Sequence, residues 1–310
     1  MKQIKLLFLL ASASVTGAFA QSNGLTDMSQ SRYAKMANTG IDAVHWTNGF
    51  WGERFNVFSG TSLQSMWNTW NTPEVSHGFR NFEIAAGVCK GEHWGPPFHD
   101  GDMYKWMEGV ASVYAVNKDP ELDKLMDNFI ACVVKAQRAD GYIHTPVVIE
   151  ELNKGIDSHT LADSQQQTVI GTKVGSEDEK GAFANRLNFE TYNLGHLMMA
   201  GIVHHRATGK TTLLDAAVKA TDFLCHFYET ASAELARNAI CPSHYMGVVE
   251  MYRATGNPRY LELSKNLIDI RGMVESGTDD NQDRIPFRDQ YRAMGHAVRA
   301  NYLYAGVADV

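Results

Sequence analysis

Acidic and aromatic side chains are concentrated in a Gly/Pro-rich loop at residues 92–102, whose sequence is EHWGPPFHDGD. The helical run MYKW follows directly, so one carboxylate, Asp100 or Asp102, can serve as the N-cap of a helix. The other carboxylate would then face a cavity. Carboxylates hydrogen-bond to sugar hydroxyls, and aromatic rings cover the apolar face of a sugar. The loop therefore predicts a carbohydrate-binding surface.

The stretch RLNFETYNLGH places a second polar group, formed by Glu190, Asn193 and His196, at the start of a later helix. Glu190 can contact substrate, or it can only complement the positive end of the helix dipole. His196 can be a ligand or a packed core group. If Glu190 acts together with Asp100 or Asp102, the pair would supply the acid and the base of a glycoside hydrolase.

Histidines recur at the starts of two further predicted helices, with His244 in PSHY and His296 in MGH. Helix starts of this type would point at one end of a ring of helices, where the two side chains can converge. Neither histidine belongs to H-E-x-x-H or another tight metal spacing. The acidic run DDNQD at residues 279–283 lacks the glutamate at the twelfth position of a calcium loop, so a solvated loop is expected there.

The elements that would position these residues are helical hairpins. The tetrapeptide RATG occurs at residues 206–209 and again at residues 253–256, and an apolar helix pattern follows each copy. Gly209 can end a helix in the left-handed conformation, and Asn257-Pro258 can begin the next helix as N-cap and first residue. Three helix pairs are therefore predicted, at about residues 102–138, 190–230 and 243–271.

Weaker patterns extend this organisation at both ends. Residues 63–70 and 82–88 are expected to form an earlier helix pair. A final helix is expected at residues 287–308, and its apolar face would consist of Met294, Val298, Tyr302 and Ala305.

Strand signals are few and short, at residues 142–144 and 168–170. Repeated helical hairpins either stack into a solenoid or close into an α/α toroid. The long and dissimilar loops of this chain favour the toroid. The predicted fold class is therefore all-α, with any sheet being small.

Composition and charge exclude several classes of protein. The 310 residues are 44% hydrophobic and 20% charged with a net charge of −7, which is typical of a globular protein. There is no basic footprint for a nucleic acid and no polybasic patch for a membrane surface. The first 20 residues resemble a signal peptide, with cleavage expected after Ala20, so the protein is expected to be secreted or periplasmic.

The four cysteines leave the thiol state open between free thiols and one or two disulfides. No C-x-x-C pair is present, so the spacing does not predict a zinc site within the chain. The four residues are Cys89, Cys132, Cys225 and Cys241.

Several segments, taken in order, resemble glycoside hydrolase family 127, the β-L-arabinofuranosidase family. Residues 100–108 (DGDMYKWME) are similar to its signature D-S-D-V-Y-K-W-L-E, and residues 295–306 (GHAVRANYLYAG) are similar to a second specific motif. The other similar segments are residues 50–54, 137–142, 192–197 and 244–253.

This resemblance implies an (α/α)6 barrel followed by β-sandwich domains, acting on arabinofuranosides of plant glycans. It also implies a cysteine nucleophile held on zinc and a glutamate acid/base, all C-terminal to the GHAVR motif. The chain is therefore expected to be the N-terminal part of such an enzyme, with no catalytic residue and no zinc of its own. Residues 21–45 would be an N-terminal segment and residues 46–310 an incomplete barrel, inactive by itself.

The resemblance also implies which residues contact the sugar, since His244 and His296 match sugar-contacting positions of the family. In the family's H-E-x-Y motif a histidine precedes the glutamate, whereas Phe189 precedes Glu190 here. An apolar ring cannot hydrogen-bond to a hydroxyl, so the resemblance leaves the particular sugar open. The candidate substrate-binding residues are Asp100, Asp102, Phe189, Glu190, His244 and His296.

Two alternatives remain open at this point. The first is a complete α/α-toroid glycosidase that works with Asp100 or Asp102 and with Glu190. The second is a non-catalytic carbohydrate-binding protein that uses the aromatic surface of the loops.

Overall fold

A computed structural model describes residues 24–156, 182–183, 188–238, 244–272 and 277–310. These residues form helices and contain no strand element, so the all-α fold class is confirmed for them. The helices are α1 (Gly49–Val57), a π-helical turn (Phe58–Ser62), α2 (Leu63–Trp70), α3 (Gly78–Ala85), α4 (His99–Asn117), α5 (Pro120–Ala136), α6 (Thr145–Asn153), α7 (Glu190–Thr208), α8 (Thr212–Thr230), α9 (Ala233–Asn238), α10 (His244–Thr255), α11 (Pro258–Asp269), a 3₁₀ turn (Phe287–Asp289) and α12 (Ala297–Asp309).

The helices form an inner row and an outer row. Helices α4, α7, α10 and α12 are neighbours in that order, and each packs along the next. Helices α5, α8 and α11 each follow one inner helix and cover it from outside. This alternation of inner and outer helices is the arrangement of an α/α toroid. None of the helices in the described ranges is long and apolar enough to cross a membrane.

The three predicted hairpins are confirmed, and local backbone chemistry explains their turns. Gly209 ends α7 in the left-handed conformation with φ of 77°, which glycine adopts without steric penalty. The Asn257 side chain accepts a hydrogen bond from the Arg259 amide at 3.1 Å and so caps α11. Asp119 caps α5 in the same way through the amide of Glu121, at 2.9 Å.

Glycines allow the inner helices to pack closely. A Cβ atom on Gly247 of α10 would lie 2.7 Å from the carbonyl oxygen of Gly195 in α7. A Cβ on Gly306 of α12 would lie 3.0 Å from the amide nitrogen of Met246 in α10. Both contacts involve backbone atoms, which cannot rotate away, so these positions require a residue without a side chain.

The apolar stripes predicted for the outer helices are the faces that they bury. On α8, Leu213, Ala217 and Leu224 are fully buried, and on α11 Tyr260 and Leu267 are buried. Between α3 and α5, Phe82 meets Phe129 edge to face with ring centroids 5.0 Å apart. These contacts join the hairpins into one core.

The prediction of a single helix over residues 287–308 was wrong at its start. Residues 287–289 form a short 3₁₀ turn, and α12 begins only at Ala297. Gly295 has a φ of 78° and lies against the backbone of Asp279, so the chain turns there instead of continuing as a helix. The predicted apolar face was also wrong, because the buried residues of α12 are Ala300, Leu303 and Gly306.

Two loop predictions were also wrong. Residues 142–144 are not a strand; they lead into α6, which has Pro146 within its first turn. Within the supposedly solvated run at residues 279–283, Asp283 is 1% exposed and accepts hydrogen bonds from the Thr278 amide and the Asn281 side chain, at 2.7 and 2.6 Å. Residues 1–23 and 168–170 lie outside the described residues.

Candidate functional site

The N-terminal turns of α4 and α7 meet at one end of the helix ring and form a mouth with residues 142–145. The side chain of Asn193, in the first turn of α7, joins these parts. Its Oδ1 accepts a hydrogen bond from the Gly101 amide at 2.9 Å, and its Nδ2 donates to the Pro97 carbonyl at 2.9 Å. The same Nδ2 lies 3.2 Å from Nδ1 of His144. Asn193 is fully buried, so this junction is fixed from within the core.

Asp100 is a buried acceptor in this junction. Its Oδ1 accepts from the Thr145 hydroxyl at 2.6 Å, and its Oδ2 accepts from the Thr145 amide at 2.7 Å. Nδ1 of His144 lies 3.6 Å from Oδ2. Burial acts to raise the pKa of Asp100, but the interactions with His144 and Thr145 outweigh it and hold the pKa below its usual range.

Glu190 is a second buried acceptor, in the first turn of α7. Its Oε1 accepts from the Tyr142 hydroxyl at 2.6 Å and from the Phe183 amide at 2.7 Å. Burial raises the pKa of Glu190, and the nearby His144 and these two donors reduce the rise. Glu190 therefore fixes residues 142 and 183 against the helix start.

The expectation that Asp100 or Asp102 caps α4 was wrong. The N-cap position is occupied by Phe98, and both carboxylates lie within the first turn of the helix. Asp102 is partly exposed and forms an ion pair with Lys105, whose Nζ lies 3.0 Å from Oδ1. Lys105 also donates to the hydroxyl of Tyr192. Asp102 is therefore the carboxylate that reaches the open side of the mouth.

Aromatic rings form the rim of the mouth. Phe189 meets Phe98 and Tyr192 edge to face, with ring centroids 5.5 and 5.9 Å apart. The guanidinium of Arg299, in α12, lies over the Phe189 ring at 5.4 Å. Phe189 has a φ of 60°, a left-handed conformation that is rare for a bulky residue.

Glu108 and His196 form a pair next to the inner helices. The sequence analysis identified His196 but not Glu108. Oε1 of Glu108 lies 3.9 Å from Nδ1 of His196. Burial raises the pKa of Glu108 to about 8, against a weaker opposing effect of Lys105. Burial lowers the pKa of His196 to about 3. Burial therefore disfavours the charged form of both groups. Helical spacing was the signal that could have identified Glu108, since it follows Asp100 by about two turns of α4 and so lies on the same face of the helix.

The two remaining candidates are placed differently. His296 is the exposed N-cap residue of α12, and its amide donates to the Asp280 carbonyl at 3.2 Å. Asp100 and Glu190 are buried whereas His296 is exposed, so His296 stands apart from the buried junction. His244 begins α10, at the N-terminal end of the next inner helix, and its side chain lies outside the described residues.

The family resemblance implies a zinc site C-terminal to the GHAVR motif, and the described residues offer no other place for the ion. Within this part of the chain, no group of three or more His, Cys, Asp or Glu residues has an arrangement that could hold a metal ion. Cys89, Cys132 and Cys225 are free thiols, and Cys241 lies outside the described residues. No chemical step is therefore assigned to zinc on these residues.

Helical hairpins whose inner helices meet at a polar and aromatic mouth define the α/α-toroid class of proteins, which includes glycosidases. The sequence matches the family model for the catalytic domain of β-L-arabinofuranosidases, GH127, over residues 43–310. The chain belongs to glycoside hydrolase family 127.

Individual relatives agree with this assignment. The chain is 32% identical over 256 residues to a non-reducing end β-L-arabinofuranosidase of Bifidobacterium longum subsp. longum, covering 76% of this chain and 36% of that protein. A solved glycoside hydrolase is 76% identical with a TM-score of 0.66, covering 93% of this chain and 36% of that one. A GH127 β-L-arabinofuranosidase from Geobacillus stearothermophilus T6 is 30% identical with a TM-score of 0.67, covering 86% and 41%. The chain thus spans little more than a third of the length of these relatives.

Proposed function

We propose that this chain forms one wall of the sugar-binding pocket of a β-L-arabinofuranosidase-type enzyme that acts on arabinofuranosides of plant glycans. The observation that carries the proposal is the meeting of the α4, α7 and α12 helix starts at one mouth, in a member of a glycosidase family. Asp102 and the aromatic rim, including Phe98 at 38% exposed, are the groups that a bound sugar would meet.

The buried carboxylates support a positioning role and not an acid–base role. A general acid or base must come within hydrogen-bonding distance of the glycosidic oxygen or of a water molecule. Asp100 and Glu190 are 1% and 4% exposed, and both oxygens of Asp100 are already bonded to Thr145. The alternative of a complete glycosidase based on this carboxylate pair is therefore not favoured.

We assign none of the family's catalytic roles to residues of this chain. The resemblance places the catalytic glutamate, the zinc ligands and the cysteine nucleophile C-terminal to the GHAVR motif at residues 295–299. In this proposal the 310 residues bind the sugar, through His296, His244 and the mouth, but do not cleave its glycosidic bond.

Binding and hydrolysis can be measured separately on the 310-residue protein. Titration with methyl β-L-arabinofuranoside, followed by NMR, should show binding that His296→Ala weakens. His226→Ala, at an exposed histidine of the outer helix α8, is the matched control and should bind as the wild type does. An aryl β-L-arabinofuranoside should release no phenol above the buffer rate. Turnover that His296→Ala abolishes and His226→Ala retains would contradict the assignment, and so would absence of binding.

We also propose that the protein acts outside the cytoplasm, because Lys2, Lys5, the following apolar run and the Ala18-Phe19-Ala20 site have the pattern of a cleavable signal peptide. The mature protein purified from its native host should begin at Gln21 by N-terminal sequencing. A cell-associated protein that keeps Met1 would contradict this proposal.

A further inference from the structure

An exposed aromatic side chain lies beside the mouth, on the loop that leads into α4. Trp94 is 50% exposed, and its ring meets the ring of His77 edge to face with centroids 4.9 Å apart. The buried junction and the aromatic rim described above do not include this ring. Large apolar side chains are normally withdrawn from water, so an exposed indole next to a binding site suggests a role in recognition.

The core of the protein fixes the backbone of Trp94. The side chain of Asn81, in α3, is fully buried and bonds to both polar backbone groups of this residue. Asn81 Nδ2 donates to the Trp94 carbonyl at 3.0 Å, and the Trp94 amide donates to Asn81 Oδ1 at 3.3 Å. Because the buried side-chain amide of Asn81 forms hydrogen bonds to the backbone of Trp94, it holds that backbone in place. The indole is therefore presented on a rigid support.

The rest of the loop ties Trp94 to the mouth. Gly95 has a φ of 103°, and a Cβ there would lie 2.5 Å from the His99 ring, so the loop packs tightly on the start of α4. Pro97 accepts the 2.9 Å hydrogen bond from Asn193, the residue that joins α4 to α7. Three residues of chain span at most about 10 Å, so Trp94 lies near the junction that shapes the mouth.

We propose that Trp94 forms a second sugar subsite, on which the glycan unit next to the one at the mouth stacks. An indole ring covers the apolar face of a sugar, and a ring that is already held in place loses little conformational freedom on binding. This inference rests on the proposed function, because it assumes that the mouth holds the first sugar. The ligand is a neutral oligosaccharide, since the surface offered is an uncharged ring.

The subsite predicts that Trp94 matters for an oligosaccharide and not for a single sugar. The ligands are methyl arabinofuranoside and a linear arabinofuranosyl trisaccharide, titrated against the 310-residue protein by calorimetry or NMR. Trp94→Ala should weaken trisaccharide binding about tenfold and leave the methyl glycoside unchanged. Trp94→Phe should keep most of the affinity, because it retains a stacking ring.

The matched control is Trp51→Ala, which removes an indole that is 65% exposed on α1. Trp51 lies near the first residue of the continuous helical segment formed by α1, the π-helical turn and α2. The last residue of that segment, Trp70, contacts His99 at the start of α4, so Trp51 lies far from the mouth. The control should bind both ligands as the wild type does. Equal trisaccharide affinity of Trp94→Ala and wild type would overturn the subsite alone. Failure of the wild type to bind either ligand would overturn the proposed function, and the subsite with it.

Discussion

At the scale of single residues, the mouth is built from polar side chains that are almost completely buried. Asp100, Glu190 and Asn193 bind backbone groups of other segments, and each is less than 5% exposed. Buried polar groups are stable only when they are hydrogen-bonded, so each of them requires one arrangement of its partner segment. Their contribution is to hold the side chains around the mouth in a fixed position.

Glu108 provides a pH test at this scale. Burial raises its pKa from 4.5 to about 8, so the folded state keeps a proton that the unfolded chain releases. The folded state then binds more protons between these pH values, and the free energy of unfolding falls as pH rises. Glu108→Gln carries no such proton. Between pH 5 and pH 8 the unfolding free energy of the variant should rise relative to that of the wild type by about 3 kcal/mol, in urea unfolding followed by circular dichroism.

Glu53→Gln, at an exposed glutamate of α1, is the control for this experiment and should leave stability unchanged at both pH values. If the difference in unfolding free energy between Glu108→Gln and the wild type is the same at pH 5 and pH 8, the pKa of Glu108 is not raised in the folded state.

At the scale of helices, close approach of the inner row depends on glycine. Helices α7, α10 and α12 meet where Gly247 and Gly306 leave room for the neighbouring backbone. Packed interiors have little free volume, so an added methyl group has to push two helices apart. The mouth lies at the N-terminal ends of the same helices, which links this packing to the geometry of the site.

Gly247→Ala should destabilise the protein by about 1–3 kcal/mol, since its Cβ would lie 2.7 Å from the Gly195 carbonyl oxygen. Gly60→Ala is a matched control, because no heavy atom lies within 4 Å of a Cβ at that helical position. The control should be neutral or slightly stabilising, as alanine has the higher helix propensity. Equal unfolding midpoints for the two variants would show that the inner helices have room to separate.

At the scale of the whole molecule, one buried carboxylate connects distant parts of the chain. Glu250 of α10 is 1% exposed and forms ion pairs with Arg206 at 2.5 Å and with Arg253 at 3.1 Å. These are the two arginines of the repeated RATG tetrapeptide. The Asp27 amide also donates to Glu250 at 2.9 Å, and Arg253 pairs with Asp309 at 3.0 Å. The N-terminal segment, two hairpins and α12 therefore share one cluster of charges.

Glu250→Ala should cost about 3–5 kcal/mol of unfolding free energy, because it leaves the charge of Arg206, whose side chain is 2% exposed, without its carboxylate partner. Hydrogen exchange at residues 24–29 should also become faster, since the Asp27 amide loses its acceptor. Glu229→Ala removes an exposed partner of Arg259, 3.2 Å away, and should cost less than about 1 kcal/mol. If both variants lose less than about 1 kcal/mol of unfolding free energy, the buried charge cluster does not stabilise the fold.

The sequence by itself determined the hairpins and the family. Helix ends are set by local chemistry, such as the left-handed Gly209 and the caps at Asp119 and Asn257, and these signals can be recognised within a few residues. The buried faces of α8 and α11 follow from apolar periodicity in the same way. The motifs at residues 100–108 and 295–306 indicated the family, which the match over residues 43–310 confirms.

Only the tertiary structure decided what the polar residues do. Asp100 is bonded to a residue 45 positions away, Tyr142 is 48 positions from Glu190, and Gly101 is 92 from Asn193. Burial and pKa shifts arise from such long-range contacts, and no local pattern contains them. For the same reason the late start of α12 was missed, because Gly295 turns the chain where it meets the backbone of Asp279, which lies far from it in sequence.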